Sequence, residues 1–256
     1  MKLLLLIFAL LLAACSGMSD IDRALLNQAQ TYHQSGDYRK EAAIYHELLT
    51  DNPGNMDYIY KYAESARMSG QGDMAVRYYD KFLRANPASL DAEEGKALAL
   101  MGDGKYDEAA QIFAGILQKD ATRWKTINAL GLISAAKGHI DQAMEYYGMA
   151  LEVSPDNPNI LNNMGLSYAL NGDYQNAAMV LTKASGIAGE DTDKKRKIDM
   201  NLSLVYGLAG KTADAQKVLK TYLPEDGVNQ YLAIYSRLRA DRKTAVPYLK
   251  HALTGR

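Results

Sequence analysis

The chain has 256 residues, 48% hydrophobic and 23% charged, the balance of a folded protein and not of a disordered one. A formal net charge of −1 leaves no surplus of Lys and Arg for a sequence-independent grip on nucleic acid. Only 6 prolines, 18 tyrosines against 3 Phe and 1 Trp, and scarce β-branched alternation point to helices.

Met1-Lys2 opens the chain with positive charge, and unbroken apolar residues follow from Leu3 to Leu12. That run is too short for a bilayer core, which takes about 20 helical residues, and it matches the apolar segment of a secretory signal peptide. Leu12-Ala13-Ala14-Cys15 comes next, and Cys15 is the one cysteine of the chain. The combination resembles the lipobox of bacterial lipoproteins; the alternative is an ordinary signal peptide with a chance cysteine. The resemblance implies a signal peptide over 1–14, cleavage before Cys15, acylation of its thiol and amine, and a lipidated tether over 15–20. Two or more acyl chains hold firmly where one holds marginally. Ser16 stands where lipoproteins kept in the inner membrane tend to carry Asp. Its presence implies the periplasmic face of the outer membrane. With Cys15 taken by lipid, the body has no thiol for a disulfide, a metal or a nucleophile. Ser16 to Asp20 extend to about 17 Å at most, which keeps the body near the lipid surface.

Past the tether a period of 34 residues governs the chain. Gly36, Gly70, Gly104, Gly138 and Gly172 are each 34 apart, and Gly210 follows 38 later. Five residues after these glycines comes a small residue: Ala75, Ala109, Ala143, Ala177 and Ala215. Nine residues after them stands a bulky one: Tyr45, Tyr79, Phe113, Tyr147, Leu181 and Leu219. Seven residues before them the position is small again, at Ala29, Ala63, Ala97, Gly131, Gly165 and Ser203. Such spacing describes a helix hairpin. Glycine ends the first helix in the left-handed conformation of a tight turn. Small residues let the helices cross closely, and bulky ones fill the space beside them. Pro53, Pro87 and Pro155 stop second helices.

The pattern resembles the tetratricopeptide repeat. It implies an all-α solenoid over 21–256, with six to seven helix hairpins in a right-handed superhelix. One hairpin cannot bury its apolar faces alone, so the units must stack. Repeats are expected to begin near residues 22, 56, 90, 124, 158 and 196, with a degenerate seventh from about 229 that includes Ala245, Leu249, Ala252 and Leu253. Four departures stand out: Glu41 in a small-residue slot, Ala121 in place of a proline, Ala240 in place of a glycine, and Pro247, expected to interrupt the final helix.

Signals of catalysis are missing. His33, His46, His139 and His251 are scattered, without the two-imidazole spacing that zinc takes on one helix face. No glycine-rich phosphate loop or nucleophile elbow appears. The reading is therefore no enzyme, no catalytic residue, no metal, no cofactor and no small-molecule substrate. Tyrosines fall in framework slots, and nearly all methionines read as core filler.

In tetratricopeptide proteins the first helices line a concave groove that holds a peptide or a helix. Carried over, the groove positions are Asn128, Asn162, Asn163 and Asn201, with Leu132, Leu166 and Leu204 one turn on as an apolar floor. The N-terminal half offers Tyr60, Glu64 and Arg67 instead. An asparagine amide both donates and accepts, so these residues can serve a bound backbone or bridge neighbouring helices. The longer spacing before Gly210 coincides with the charge run from Glu190 to Lys197. There Lys194, Lys195, Arg196 and Lys197 oppose the dipole of a helix that Thr192 could cap. Two readings stay open: a solvated linker, or a docking patch for an acidic partner or lipid headgroups.

Several stretches are more particular than the generic repeat: Trp124 to Gly131, Ile160 to Leu170, Asn201 to Gly210, Leu223-Pro224-Glu225-Asp226 and Asn229-Gln230-Tyr231-Leu232. With the lipobox, they resemble the tetratricopeptide lipoproteins of the tight-adherence (Flp pilus) machinery. The resemblance implies a pilotin-like scaffold for that secretion apparatus, whose groove binds the secretin or another pilus-assembly component. A pilotin for type IV pili and a periplasmic adaptor for cell-wall hydrolases are the alternatives.

Overall fold

A computed structural model describes residues 19–189 and 192–255. The signal segment, Cys15 with the tether up to residue 18, and Glu190 and Asp191 of the charge run lie outside the described residues. Among the described residues there are fourteen helices and no strand, and they fall into two units divided at Ala109 and Ala110.

The N-terminal unit holds α1 (Asp20–Ser35), α2 (Tyr38–Asp51), α3 (Met56–Met68), α4 (Gly72–Ala85) and α5 (Leu90–Gly102); α6 (Tyr106–Lys119) runs across the division. The first helices α1, α3 and α5 start on side-chain caps that satisfy orphan amides. Ser19 accepts from the Asp22 amide at 2.9 Å, Asn55 from those of Asp57 and Tyr58 at 3.0 and 3.2 Å, and Ser89 from that of Ala92 at 3.3 Å. Each helix packs on the next from α1 to α5, and α3 also touches α5.

The C-terminal unit contains α7 (Trp124–Ala136), α8 (Ile140–Val153), α9 (Pro158–Asn171), α10 (Tyr174–Ala188), α11 (Thr192–Leu208), α12 (Thr212–Leu219), α13 (Glu225–Ala240) and α14 (Arg242–Thr254). Neighbours pack in order from α7 to α14, and the first helices α7, α9, α11 and α13 also touch in succession. That approach of first helices is what a curved stack produces on its inner side.

One turn geometry recurs in both units. The six periodic glycines have φ between 72° and 87°, the left-handed region that costs any other residue steric strain. The residue after each glycine donates its amide to the carbonyl five residues back: Asp37 to Tyr32, Gln71 to Ala66, Lys105 to Leu100, His139 to Ser134, Asp173 to Tyr168 and Lys211 to Tyr206, all at 2.8–2.9 Å. This is the Schellman closure, which satisfies orphan carbonyls at a helix end. Behind it the periodic Ala75, Tyr79, Ala109, Phe113, Ala143, Tyr147, Ala177, Leu181, Ala215 and Leu219 are all 0% exposed. Burying each large side chain stabilises the stack by roughly 1.5–3 kcal/mol.

Four local features depart from the sequence reading. Helix α11 begins at Thr192, ahead of residue 196, and has 17 residues where α7 has 13. The four extra residues form about one helical turn, so the hairpin register survives the longer spacing. Helix α13 begins at Glu225, ahead of residue 229, directly behind Pro224. Helix α14 runs unbroken through Pro247. Of the methionines read as core filler, Met68, Met149 and Met179 are 46%, 48% and 64% exposed.

The last hairpin differs in kind. At Ala240 no glycine is available for a left-handed turn, and Asp241 joins the helices in extended conformation (φ −134°, ψ 103°). Helix α14 therefore leaves the stacking order: beyond α13 it packs on α9 and α7.

Candidate functional site

In the N-terminal unit, α3 presents Tyr60, Glu64 and Arg67 at intervals of four and three residues, which places them on one helix face. Glu64 accepts a short hydrogen bond from the Tyr79 hydroxyl of α4 and a second, at 3.0 Å, from Arg67 Nη2. Tyr60 stacks edge-on to Tyr79 (6.1 Å between centroids) and lies 5.1 Å from the Phe82 ring. Burial, reinforced by the Glu64 charge, pushes the Tyr60 hydroxyl up to about 12 and the Tyr79 hydroxyl higher still. For Arg67, burial works against the charge, but Glu64 and Tyr79 outweigh it and raise the guanidinium further. Its Nε is buried with no hydrogen-bond partner among the described residues.

Beside this cluster is a cavity of about 140 Å³ lined by His33, Tyr38, Glu41, Tyr60, Glu64 and Met68 among others. Glu41 is 4% exposed, and His33 Nδ1 meets its two carboxylate oxygens at 3.1 and 3.2 Å. Sequence reasoning reached Tyr60 and Glu64 but missed the His33, Tyr38, Glu41 and Met68 wall. The signal was present in Glu41, the one charged residue in a slot that otherwise takes alanine.

In the C-terminal unit the asparagines of α7, α9 and α11 form a chain of amides. Asn201 donates to Asn162 at 2.8 Å, Asn162 to Asn163 at 3.4 Å, and Asn163 to Asn128 at 3.2 Å. The bonds from Asn201 and from Asn163 run from first helix to first helix, so they brace the inner side of the C-terminal unit. Asn162 and Asn201 are buried, whereas Asn128 and Asn163 are half-buried. Leu166 and Leu204 are 0% and 3% exposed, and Leu132 is half-buried against the same core. That core includes Ala245, Leu249 and Leu253 of α14.

The basic run separates into different environments. Lys195 Nζ reaches Asp199 Oδ2 and Ser185 Oγ, both at 2.8 Å, and Tyr222 donates to Asp199 Oδ2 at 2.5 Å. Burial alone would raise the Asp199 carboxyl, but the hydrogen bonds from Lys195, Ser185 and Tyr222 hold it below the ordinary carboxylate range. Ser185 donates a short hydrogen bond to Asp199, so Ser185, Lys195 and Asp199 together brace α10 against α11. Arg196 lies 5.9 Å from the Tyr222 ring centroid, Lys194 is half-buried, and Lys197 is exposed. Among the described residues, no group of three or more His, Cys, Asp or Glu side chains could hold a metal ion, and no helix is long and apolar enough to cross a membrane.

A family model described as the N-terminal TPR repeats region of Psidin matches residues 59–188, just over half of the chain, and a tetratricopeptide-repeat model matches residues 23–55. No curated protein matches the chain. Among solved structures, PilW, described as a widely conserved type IV pilus biogenesis factor, is similar with a TM-score of 0.65 and 18% identity, over 84% of this chain and 100% of that one. A thermophilic TPR protein of Thermus thermophilus gives a TM-score of 0.60 and 19% identity over 71% and 98%. MamA from Desulfovibrio magneticus RS-1 gives 0.53 and 18% over 67% and 97%. At these identities the likeness is one of fold. With the repeat models matched along the chain and the same glycine-closed hairpins repeated in both units, the chain belongs to the tetratricopeptide-repeat family.

Proposed function

We propose that this chain is a lipid-anchored scaffold on the periplasmic face of the outer membrane. There it would assist assembly of the tight-adherence (Flp) pilus secretion apparatus, in the manner of the lipoprotein TadD that its sequence resembles. Its partner would be a protein, either the secretin or a factor needed for secretin assembly. The reading is supported by the pairing of a stretch that resembles a lipobox, Leu12–Cys15, with tetratricopeptide hairpins that line a polar, aromatic-walled cavity at Glu41, Tyr60 and Glu64. Deleting the protein should reduce multimeric secretin in the outer membrane together with surface pili; normal secretin multimers and normal piliation would reject the proposal.

A second reading is favoured by the PilW likeness, which covers more of this chain than the other two similarities given above. In that reading the same anchor and hairpins serve as a pilotin for type IV pili. Identifying the secretin that co-purifies with the full chain separates the two.

A further inference from the structure

Helix α14 occupies a place that no tetratricopeptide hairpin needs it to occupy. A second helix ordinarily packs on its own first helix and on the first helix that follows. Helix α14 instead crosses back to α9 and α7, first helices two and three hairpins upstream of its own. It lies therefore along the inner side of the C-terminal unit, where its Ala245, Leu249 and Leu253 are 2%, 1% and 7% exposed and share a core with Leu166 and Leu161.

Residues i, i+4 and i+8 make one apolar stripe, the pattern by which an amphipathic helix docks in a groove. The opposite side carries Lys243, Pro247 and His251, all exposed. That apolar stripe is the helix's main hold on the unit. A single extended residue, Asp241, joins it to α13, and Arg242 Nη2 reaches the Leu170 carbonyl of α9 at 3.5 Å. Pro247 has no amide to give the helical ladder. At 13 residues the helix is also near the lower limit for helices that persist alone in water. Its structure thus depends on the surface beneath it.

We infer that the inner side of the C-terminal unit is a groove for an amphipathic helix, and that α14 is its built-in occupant, displaced by a partner helix with small and leucine side chains at i, i+4 and i+8. The inference rests on reading the concave side as the partner surface, but it does not depend on which partner is used. A ligand for an occupied groove binds with affinity reduced by the fraction of time the groove is open.

The test uses the full chain with Leu249→Asp, which places a charge where α14 meets the core, and a fluorescent peptide of residues 241–256. The peptide should bind the variant saturably, and bind the unaltered chain about tenfold more weakly or worse. Equal binding to both, or no binding to a folded variant, would overturn the inference. If the variant does not fold, hydrogen exchange on the unaltered chain decides. Amides of α14 should exchange at least about a hundredfold faster than those of α9, by local opening; equal protection would overturn it. Secretin is not a reagent in either measurement, so peptide binding without any effect on secretin would reject the proposed function alone.

Discussion

Replacing Gly131 with alanine sets two effects of known sign against each other. In a helix interior, alanine is favoured over glycine by about 1 kcal/mol. At this position, however, a Cβ would lie 2.6 Å from Tyr147 Cε1 and 2.8 Å from Cδ1, well inside contact distance. The ring cannot swing away: Tyr147 is 0% exposed, and its hydroxyl is 3.3 Å from Ser167 Oγ in the next hairpin. Forcing a carbon into such packing costs typically about 1–3 kcal/mol, and a clash with two ring atoms belongs in the upper part of that range. The clash therefore wins, with a net loss of roughly 1–2 kcal/mol. Gly148, one residue from that same tyrosine, is the control, since a Cβ there meets nothing within 4 Å. Gly148→Ala should gain about 0.5–1 kcal/mol. Thermal unfolding followed by circular dichroism should place the two variants on opposite sides of the parent, separated by several degrees at about 2–4 °C per kcal/mol. Combining Gly131→Ala with Tyr147→Leu should remove most of the penalty as a coupling energy. A Gly131→Ala protein as stable as Gly148→Ala would refute the close-crossing account of the periodic small residues.

Asp199 is held below its ordinary range, so its contribution is complete above the unfolded value of about 3.9 and disappears as pH falls through the folded value. Asp199→Asn should be less stable by roughly 1–3 kcal/mol at neutral pH, and the gap should close on acidification; parallel urea midpoints across that range would contradict the brace. Tyrosine hydroxyls move the other way: Tyr45 and Tyr60 are pushed up to about 12, and Tyr79, Tyr147 and Tyr235 higher, by burial. Their stabilisation is full below the free value of about 10 and is lost as pH rises above it. Tyrosinate absorbance should therefore appear in two stages, the second together with loss of helical ellipticity, and a single stage without unfolding would count against it. Cys15→Ser should move the protein out of the outer-membrane fraction, and retention there would argue against the lipid anchor.

Sequence determined the hairpins, because their causes are local. A glycine at φ 72–87°, the amide that closes over it, and the small and bulky residues five and nine positions on all act within one turn or between two adjacent helices. Such contacts recur with the repeat, so they leave a period. The stretch that resembles a lipobox, Leu12–Cys15, is likewise read from neighbouring residues alone. Tertiary structure decided the rest, where partners come from different hairpins and no period records the pairing. Asn162 receives Asn201 from 39 residues away, and that distance separates a bracing amide from one held out to a ligand. Glu41 became part of a cavity wall only when His33 turned onto it and α3 supplied Tyr60 and Glu64 beside it. The basic run divided because Asp199 and Ser185 lie within reach of Lys195, while Lys197 faces outward. The course of α14 was least legible of all. Its approach to Leu170 spans 72 residues, and the missing glycine at Ala240 says only that the ordinary turn is absent. Where the chain goes after that turn is set by which apolar surface remains uncovered, a property of the folded stack and of no single segment within it.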